Sequence, residues 1–176
     1  MDAARLLSLV GEACREAGTR WAVIGGIAMN AYGYARTTAD FDIAAEEACR
    51  RALLEVLLRK GFETVHDVDA FTNLLHPEPA LGRLDVMWLE GAPAERIFAS
   101  ARELPGPDSV DVPVPAPEHL VAMKVRSIQS RPTRVFRDGA DLQHLLSLAE
   151  IDHEEVRGYF RRAGLDELYG RLRATG

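Results

Sequence analysis

Asp40 and Asp42 lie two residues apart in Asp40-Phe41-Asp42-Ile43, a run that alternates polar and apolar. On a β-strand both acids share one face, about 6.5–7 Å apart at Cα, while Phe41 and Ile43 turn toward a core. Carboxylates this close repel one another unless a cation joins them, and a small divalent ion takes oxygen ligands of this kind. The pair alone fits a solvated strand face equally well. Arg83 to Leu89 (RLDVMWL) alternates in the same way, and Asp85 sits there among apolar neighbours, where an acid needs an ion pair or a metal. If the two strands adjoin, at about 4.8 Å, a third carboxylate joins the pair. Three acids with two Mg²⁺ sum to +1, which attracts a triphosphate, and two metals flanking a phosphorus stabilise attacking and leaving oxygens together.

Gly25-Gly26 lies fourteen residues before Asp40, with Arg36 and Thr38 between. Glycines at a strand-to-helix turn admit a ligand close to the backbone, and N–H groups at a helix start favour phosphate, although a tight turn explains a Gly-Gly pair as well.

The elements that must position these residues follow from periodicity. Ala3, Leu6, Leu7, Val10, Ala13, Cys14 and Ala17 recur at helical spacing up to a stop at Gly18. Trp21–Ile24 reads as a strand, Ile27–Tyr32 as a helix, Asp40–Ile43 as a strand and Glu46–Lys60 as a helix. Further strands are predicted at 62–66, 70–75 and 83–89, and another at 110–114. Pro and Gly cluster at 104–108 and 113–117, so the chain is expected to change character near residue 115. Helices follow at 117–129, 135–149, 153–162 and 165–173. The expected class is α+β, a mixed sheet flanked by helices, with residues 1–115 as a core and 116–176 as a helical part packing on it.

The run Ile24-Gly25-Gly26-Ile27-Ala28, then Gly33-x-x-Arg36-x-Thr38-x-Asp40-x-Asp42, then Leu84-Asp85-Val86, resembles the nucleotidyltransferases of the DNA polymerase β-like superfamily. More narrowly it resembles the AbiEii/AbiGii-type branch, whose members include toxins of toxin–antitoxin and phage-defence systems. Many superfamily members have Gly-Ser where this chain has Gly25-Gly26, so a hydroxyl contact to phosphate is missing; Gly-Gly occurs in the AbiEii-like branch. Lys124, within Glu118–Lys124, and Arg137-Asp138-x-x-Asp141 resemble that branch's later motifs. For Asp138 and Asp141, a helix N-terminal acid or a salt bridge with Lys124 or Arg137 is as good a reading as catalysis.

The resemblance implies a five-stranded or similar sheet and transfer of a nucleoside monophosphate from an NTP to an acceptor hydroxyl, with release of pyrophosphate. It implies Asp40, Asp42 and Asp85 as ligands of two Mg²⁺ ions (Mn²⁺ substituting), with Asp85 helping to deprotonate the acceptor. Gly25, Gly26 and Thr38 would meet the nucleotide, and Arg36, Lys124 and Arg137 would offset its charge. The acceptor is expected to be RNA, tRNA for instance, or a protein, and a cognate antitoxin is an expected partner. Two other readings stand beside this one: a transferase acting on small molecules of the aminoglycoside kind, and a nucleotide- or partner-binding module of the same fold without turnover.

Composition bounds these readings. The 176 residues carry 21 Lys and Arg against 27 Asp and Glu, a net charge of −6, which disfavours a surface that clings to nucleic acid throughout. Yet residues 124–137 hold Lys124, Arg126, Arg131, Arg134 and Arg137 and no acid, a basic stretch that leans toward RNA. Cys14 and Cys49 show no disulfide or zinc spacing, the histidines no metal-ligand spacing and the serines no Gly-x-Ser-x-Gly setting. The longest apolar run, Ala22–Met29, is far too short for a membrane span, and the first residues lack a secretory pattern, so a cytoplasmic protein without disulfide-linked partners is expected.

Overall fold

The structure, a computed structural model, describes residues 2–35, 37–38 and 40–174. The chain divides into two compact units, Met1–Pro115 and Ala116–Gly176.

In the first unit the elements run α1 (Ala3–Ala17), β1 (Trp21–Val23), α2 (Gly25–Ala31), β2 (Asp40–Glu46), α3 (Arg50–Arg59), β3 (Glu63–Val68), β4 (Phe71–Leu75), β5 (Arg83–Leu89), α4 (Gly91–Ser100), β6 (Arg102–Pro105) and β7 (Asp111–Val114). Five strands form one mixed sheet in the order β1-β2-β5-β4-β3. Strands β2 and β5 run parallel at its centre and every other neighbouring pair is antiparallel. This is the α+β class with the mixed sheet expected from the sequence.

Period-two alternation sorts the central strands cleanly. Phe41 and Ile43 on β2 and Leu84, Val86 and Trp88 on β5 are buried, whereas Asp40, Asp42, Arg83 and Asp85 are not. Helices α1 and α3 pack on each other and bury Leu6, Leu7, Val10, Leu53, Val56 and Leu57. Asp2 opens α1 by accepting a hydrogen bond from the Arg5 N–H, and Gly18, at φ 65°, closes it. Cys14 is fully buried in α1, and burial pushes its thiol up to about 12.

Elements β2, α4 and β7 depart from the sequence reading, and β6 was not expected either. The strand expected at 40–43 continues to Glu46, because Ala44 and Ala45 pair in register with Met87 and Trp88; sheet pairing overrides alanine's helical preference, and α3 starts only at Arg50. Helix α4 was not anticipated, although Ala94, Ile97 and Phe98, its buried residues, have helical spacing. The strand expected at 110–114 pairs only with β6, in a two-stranded sheet apart from the main one.

In the second unit four helices follow: α5 (Pro117–Ser130), α6 (Val135–Ser147), α7 (His153–Arg162) and α8 (Asp166–Ala174). Leu120, Val121, Val125, Leu142, Leu145, Val156 and Phe160 form its interior. Asp152 caps α7 by accepting from the Glu154 and Glu155 N–H groups, and Glu118 in turn accepts from the Asp152 N–H. Among the described residues no helix is long and apolar enough to cross a membrane.

Phe41 is fully buried and stands between the two acids of β2, so it anchors the strand that presents them. Phe41→Ala is expected to cost about 3–5 kcal/mol of stability, read as a lower urea midpoint at unchanged slope.

Candidate active site

The candidate site lies on the sheet face opposite the apolar side chains of β2 and β5. The parallel register sets Asp42 level with Asp85 and Asp40 level with Arg83. Asn73 of β4 is level with Asp85 on the other side. The three acids expected to act together thus lie on one face of two adjacent strands.

Asp85 already has partners. Its Oδ1 accepts from Arg83 Nε at 2.8 Å and from Asn73 Nδ2 at 2.8 Å. The Arg83 guanidinium is held protonated beyond its ordinary range, first by the hydrogen bond to Asp85, against partial burial, and then by the charges of Asp85, Asp40 and Asp42. Arg83 is thus the ion-pair partner of Asp85 and lies within electrostatic reach of Asp40 and Asp42. Among the described residues no three Asp, Glu, His or Cys side chains gather closely enough to hold a metal ion as they stand. Neither Arg83 nor Asn73 was singled out from the sequence. Strand alternation carried the signal, since Arg83 shares Asp85's face and Asn73 is a polar interruption in β4.

The glycine pair performs a more specific service than a generic ligand cradle. Gly25 has φ +63°, and a Cβ there would lie 2.1 Å from Asp42 Oδ2. A Cβ on Gly26 would lie 2.6 Å from Thr38 Cβ. Both positions are bare because Asp42 and Thr38 press against the start of α2. Thr38 is fixed there by donating to the Asp40 carbonyl at 2.9 Å. Asn30, Gly33, Ala35 and Thr37 border an open depression of about 520 Å³, within the size range of small-molecule sites. Arg36 falls outside the described residues. Tyr32, just past α2, donates to the Pro115 carbonyl at 2.7 Å.

In the second unit Lys124 finds the anions its apolar surroundings demand. Its Nζ lies 2.5 Å from Asp141 Oδ2 and 3.4 Å from Asp138 Oδ1, and Arg134 Nε reaches Asp138 Oδ2 at 3.2 Å. The side chains of Asp138 and Asp141 are 4% and 2% exposed and that of Lys124 14%, so this is a buried, charge-balanced cluster of two acids and two bases. Arg134 occupies the place considered for Arg137, which is exposed. The acids of α6 face inward because Asp138, Asp141, Leu142 and Leu145 lie on one side of the helix.

The family model described as nucleotidyl transferase AbiEii toxin, type IV TA system, matches residues 8–170. The chain belongs to the AbiEii family of nucleotidyltransferases. Solved structures of similar fold include ANT(2″)-Ia in complex with adenylyl-2″-tobramycin (17% identity, TM-score 0.69, 96% of this chain and 99% of that one). An antigenic nucleotidyltransferase-like protein from Paracoccidioides brasiliensis is also similar (18%, TM-score 0.61, 98% and 93%). So is the lincosamide antibiotic adenylyltransferase LnuA with lincomycin bound (15%, TM-score 0.58, 81% and 96%). At these identities the likeness is one of fold. No curated protein sequence matches the chain. The AbiEii-family fold accounts for the mixed sheet, and the sheet accounts for where the acids stand.

Three substitutions test the local physics of this AbiEii-family chain. Gly33→Ala, at φ +84° with open space around it, is expected to cost about 1–2 kcal/mol from backbone strain alone. Gly25→Ala is expected to exceed that by about 1–3 kcal/mol because its methyl group collides with Asp42, with chemical denaturation as the measurement. Lys124→Met takes the ammonium away from buried Asp141 while Asp138 keeps Arg134, and is expected to cost about 3–5 kcal/mol, with part of the loss recovered on adding Asp141→Asn.

Proposed function

We propose that this chain transfers a nucleoside monophosphate from an NTP to an acceptor hydroxyl and that Asp40, Asp42 and Asp85 are the residues at the centre of the reaction. The observation that carries the reading is the parallel β2–β5 register, which puts Asp42 level with Asp85 and Asp40 on the same face, beside the turn at Gly25-Gly26. The donor set is entirely carboxylate oxygen, which suits a hard divalent cation. Membership of a nucleotidyltransferase family supports a divalent metal here, and Mg²⁺, as two ions with Mn²⁺ substituting, is the proposed choice. When bound, the metal supplies the positive charge that offsets the phosphates and the departing pyrophosphate.

The chain's own residues do the rest. Asp40 and Asp42 hold the cation side of the site, with Asp42 set against α2 by the bare Gly25. Asp85 accepts the proton of the acceptor hydroxyl once its carboxylate exchanges Arg83 for substrate. The acceptor oxygen then forms a bond to the α-phosphorus, the bond from that phosphorus to the bridging oxygen breaks, and the electron pair leaves with pyrophosphate. Gly25, Gly26 and Thr38 border the nucleotide, and the depression at Asn30, Gly33, Ala35 and Thr37 offers it room.

The proposed acceptor is an RNA, tRNA for instance, or a protein, in keeping with a toxin role and a cognate antitoxin as partner. The basic stretch at 124–137 favours RNA between the two. A small-molecule acceptor is the second reading, favoured by the near-complete mutual coverage with ANT(2″)-Ia, the structure of which holds an adenylylated aminoglycoside.

Purified protein with Mg²⁺, each α-labelled NTP and, in parallel, total tRNA, a cell lysate and an aminoglycoside panel separates these readings. Label is expected in an RNA, with EDTA abolishing it and Asp42→Asn lowering the rate by at least about a hundredfold. Label confined to a drug supports the second reading. Binding of Mg²⁺-NTP without label in any acceptor marks a non-catalytic nucleotide-binding module and overturns the proposal.

A further inference from the structure

We infer that the start of α6 is a docking surface for single-stranded RNA, with Phe136 as the ring on which an unpaired base stacks. This rests on the reading of the acceptor as RNA and names the residues that would engage it.

Phe136 is 90% exposed, whereas the other exposed large apolar side chains range from 37% to 65%. Its exposure follows from helix geometry. The inward side of α6 is set by Asp138, Asp141, Leu142, Leu145 and Leu146, and a residue two positions before Asp138 points about 200° away from it. Of its two neighbours on the next turn, three and four residues on, one is Gly139, where even a Cβ would meet nothing within 4 Å, and the other is Ala140. The next turn therefore sets nothing larger than a methyl group beside the ring.

The cations of this stretch of chain are in surplus. Of the five bases between Lys124 and Arg137, Lys124 and Arg134 are spent on Asp138 and Asp141. Arg126, Arg131 and Arg137 are exposed and have no carboxylate partner among the described residues. Arg131 and Arg137 bracket Phe136 within seven residues of chain. An open aromatic face flanked by unpaired guanidiniums is what single-stranded nucleic acid engages, since the cations take the phosphates and any unstacked base offers a flat π-face. An A-form duplex keeps its bases stacked and would use the cations alone. An acidic peptide likewise matches the charge and leaves the ring without a planar partner.

Fluorescence anisotropy with a labelled single-stranded oligouridylate, a hairpin duplex RNA and single-stranded DNA of matching length tests this, with polyglutamate as competitor. Phe136→Ala is expected to weaken oligouridylate binding roughly five- to a hundredfold, with the salt slope unchanged, and Phe136→Trp to retain it. Arg126→Gln and Arg131→Gln are each expected to flatten the slope of log affinity against log salt by about 0.7. Circular dichroism confirms that the variants are folded, as fully exposed positions lead one to expect. Wild-type binding by Phe136→Ala, or equal affinity for the hairpin, overturns the surface, as does displacement of the RNA by polyglutamate at equal charge. Tighter binding of DNA than of RNA overturns the choice of RNA. The two readings fail separately. Phe136-dependent RNA binding without label transfer to RNA overturns the acceptor assignment and leaves the surface standing, whereas RNA labelled equally well by Phe136→Ala overturns the surface and leaves the acceptor assignment standing.

Discussion

Two strands that carry like charges at the same level are held side by side, and the rest of the first unit can be understood from that constraint. Asp42 and Asp85 face one another across the parallel β2–β5 pair with Asp40 close by. At partly solvated dielectric such charges repel by a few kcal/mol per pair. On the reverse of the same strands Phe41, Ile43, Leu84, Val86 and Trp88 are buried, and side chains of this size contribute about 1.5–3 kcal/mol each on burial. The apolar face thus outweighs the charged one, and the acids stay together without needing to be comfortable. Arg83, two residues from Asp85 and level with Asp40, moderates the repulsion from the strand itself.

The same logic of close approach explains the glycines. A helix start that touches a carboxylate on one side and a threonine on the other has no room for two β-carbons, and Gly25 and Gly26 are the residues without them. Asp42 thereby sits at the positive end of α2, where backbone dipoles favour an anion. In the second unit the opposite arrangement holds. Lys124, Arg134, Asp138 and Asp141 cancel in charge within a buried cluster, which fixes α5 against α6 and leaves the remaining arginines outward.

Much of this was legible in the residue pattern because alternation and helical periodicity are direct consequences of what each face must bury. The five strands of the main sheet, the acids on one face and the helices of the second unit all followed from that. The continuation of β2 through Ala44 and Ala45 did not, since alanine favours helix locally and only the partner strand reverses that preference. The partners of Asp85 were hidden for a related reason. Arg83 and Asn73 become neighbours of the acid only once strand order and register are known, and one strand's sequence does not contain its neighbour's. Gly25-Gly26 was visible as a turn, but its tight contact with Asp42 and Thr38 depends on how the chain returns along β2. The inward direction of Asp138 and Asp141 was written in their spacing from Leu142 and Leu145, and of the readings open for them the salt bridge with Lys124 is the one the structure forms.

The strand order has a consequence for motion. Strand β3 is at the rim of the sheet, and all six of its residues are exposed, including Val65 at 65%. Strands β2 and β5 lie inward of it, β5 flanked on both sides from Arg83 to Met87 and β2 paired with β1 from Ile43 to Ala45. Local opening draws first on elements with few buried contacts, so the rim frays at little cost while the central pair parts only when the unit as a whole unfolds. Asp85 is carried on the middle strand, and Asp40 and Asp42 on the end of β2 that β5 alone pairs, so fraying at the β3 rim is two strands away from the first acid and three from the others.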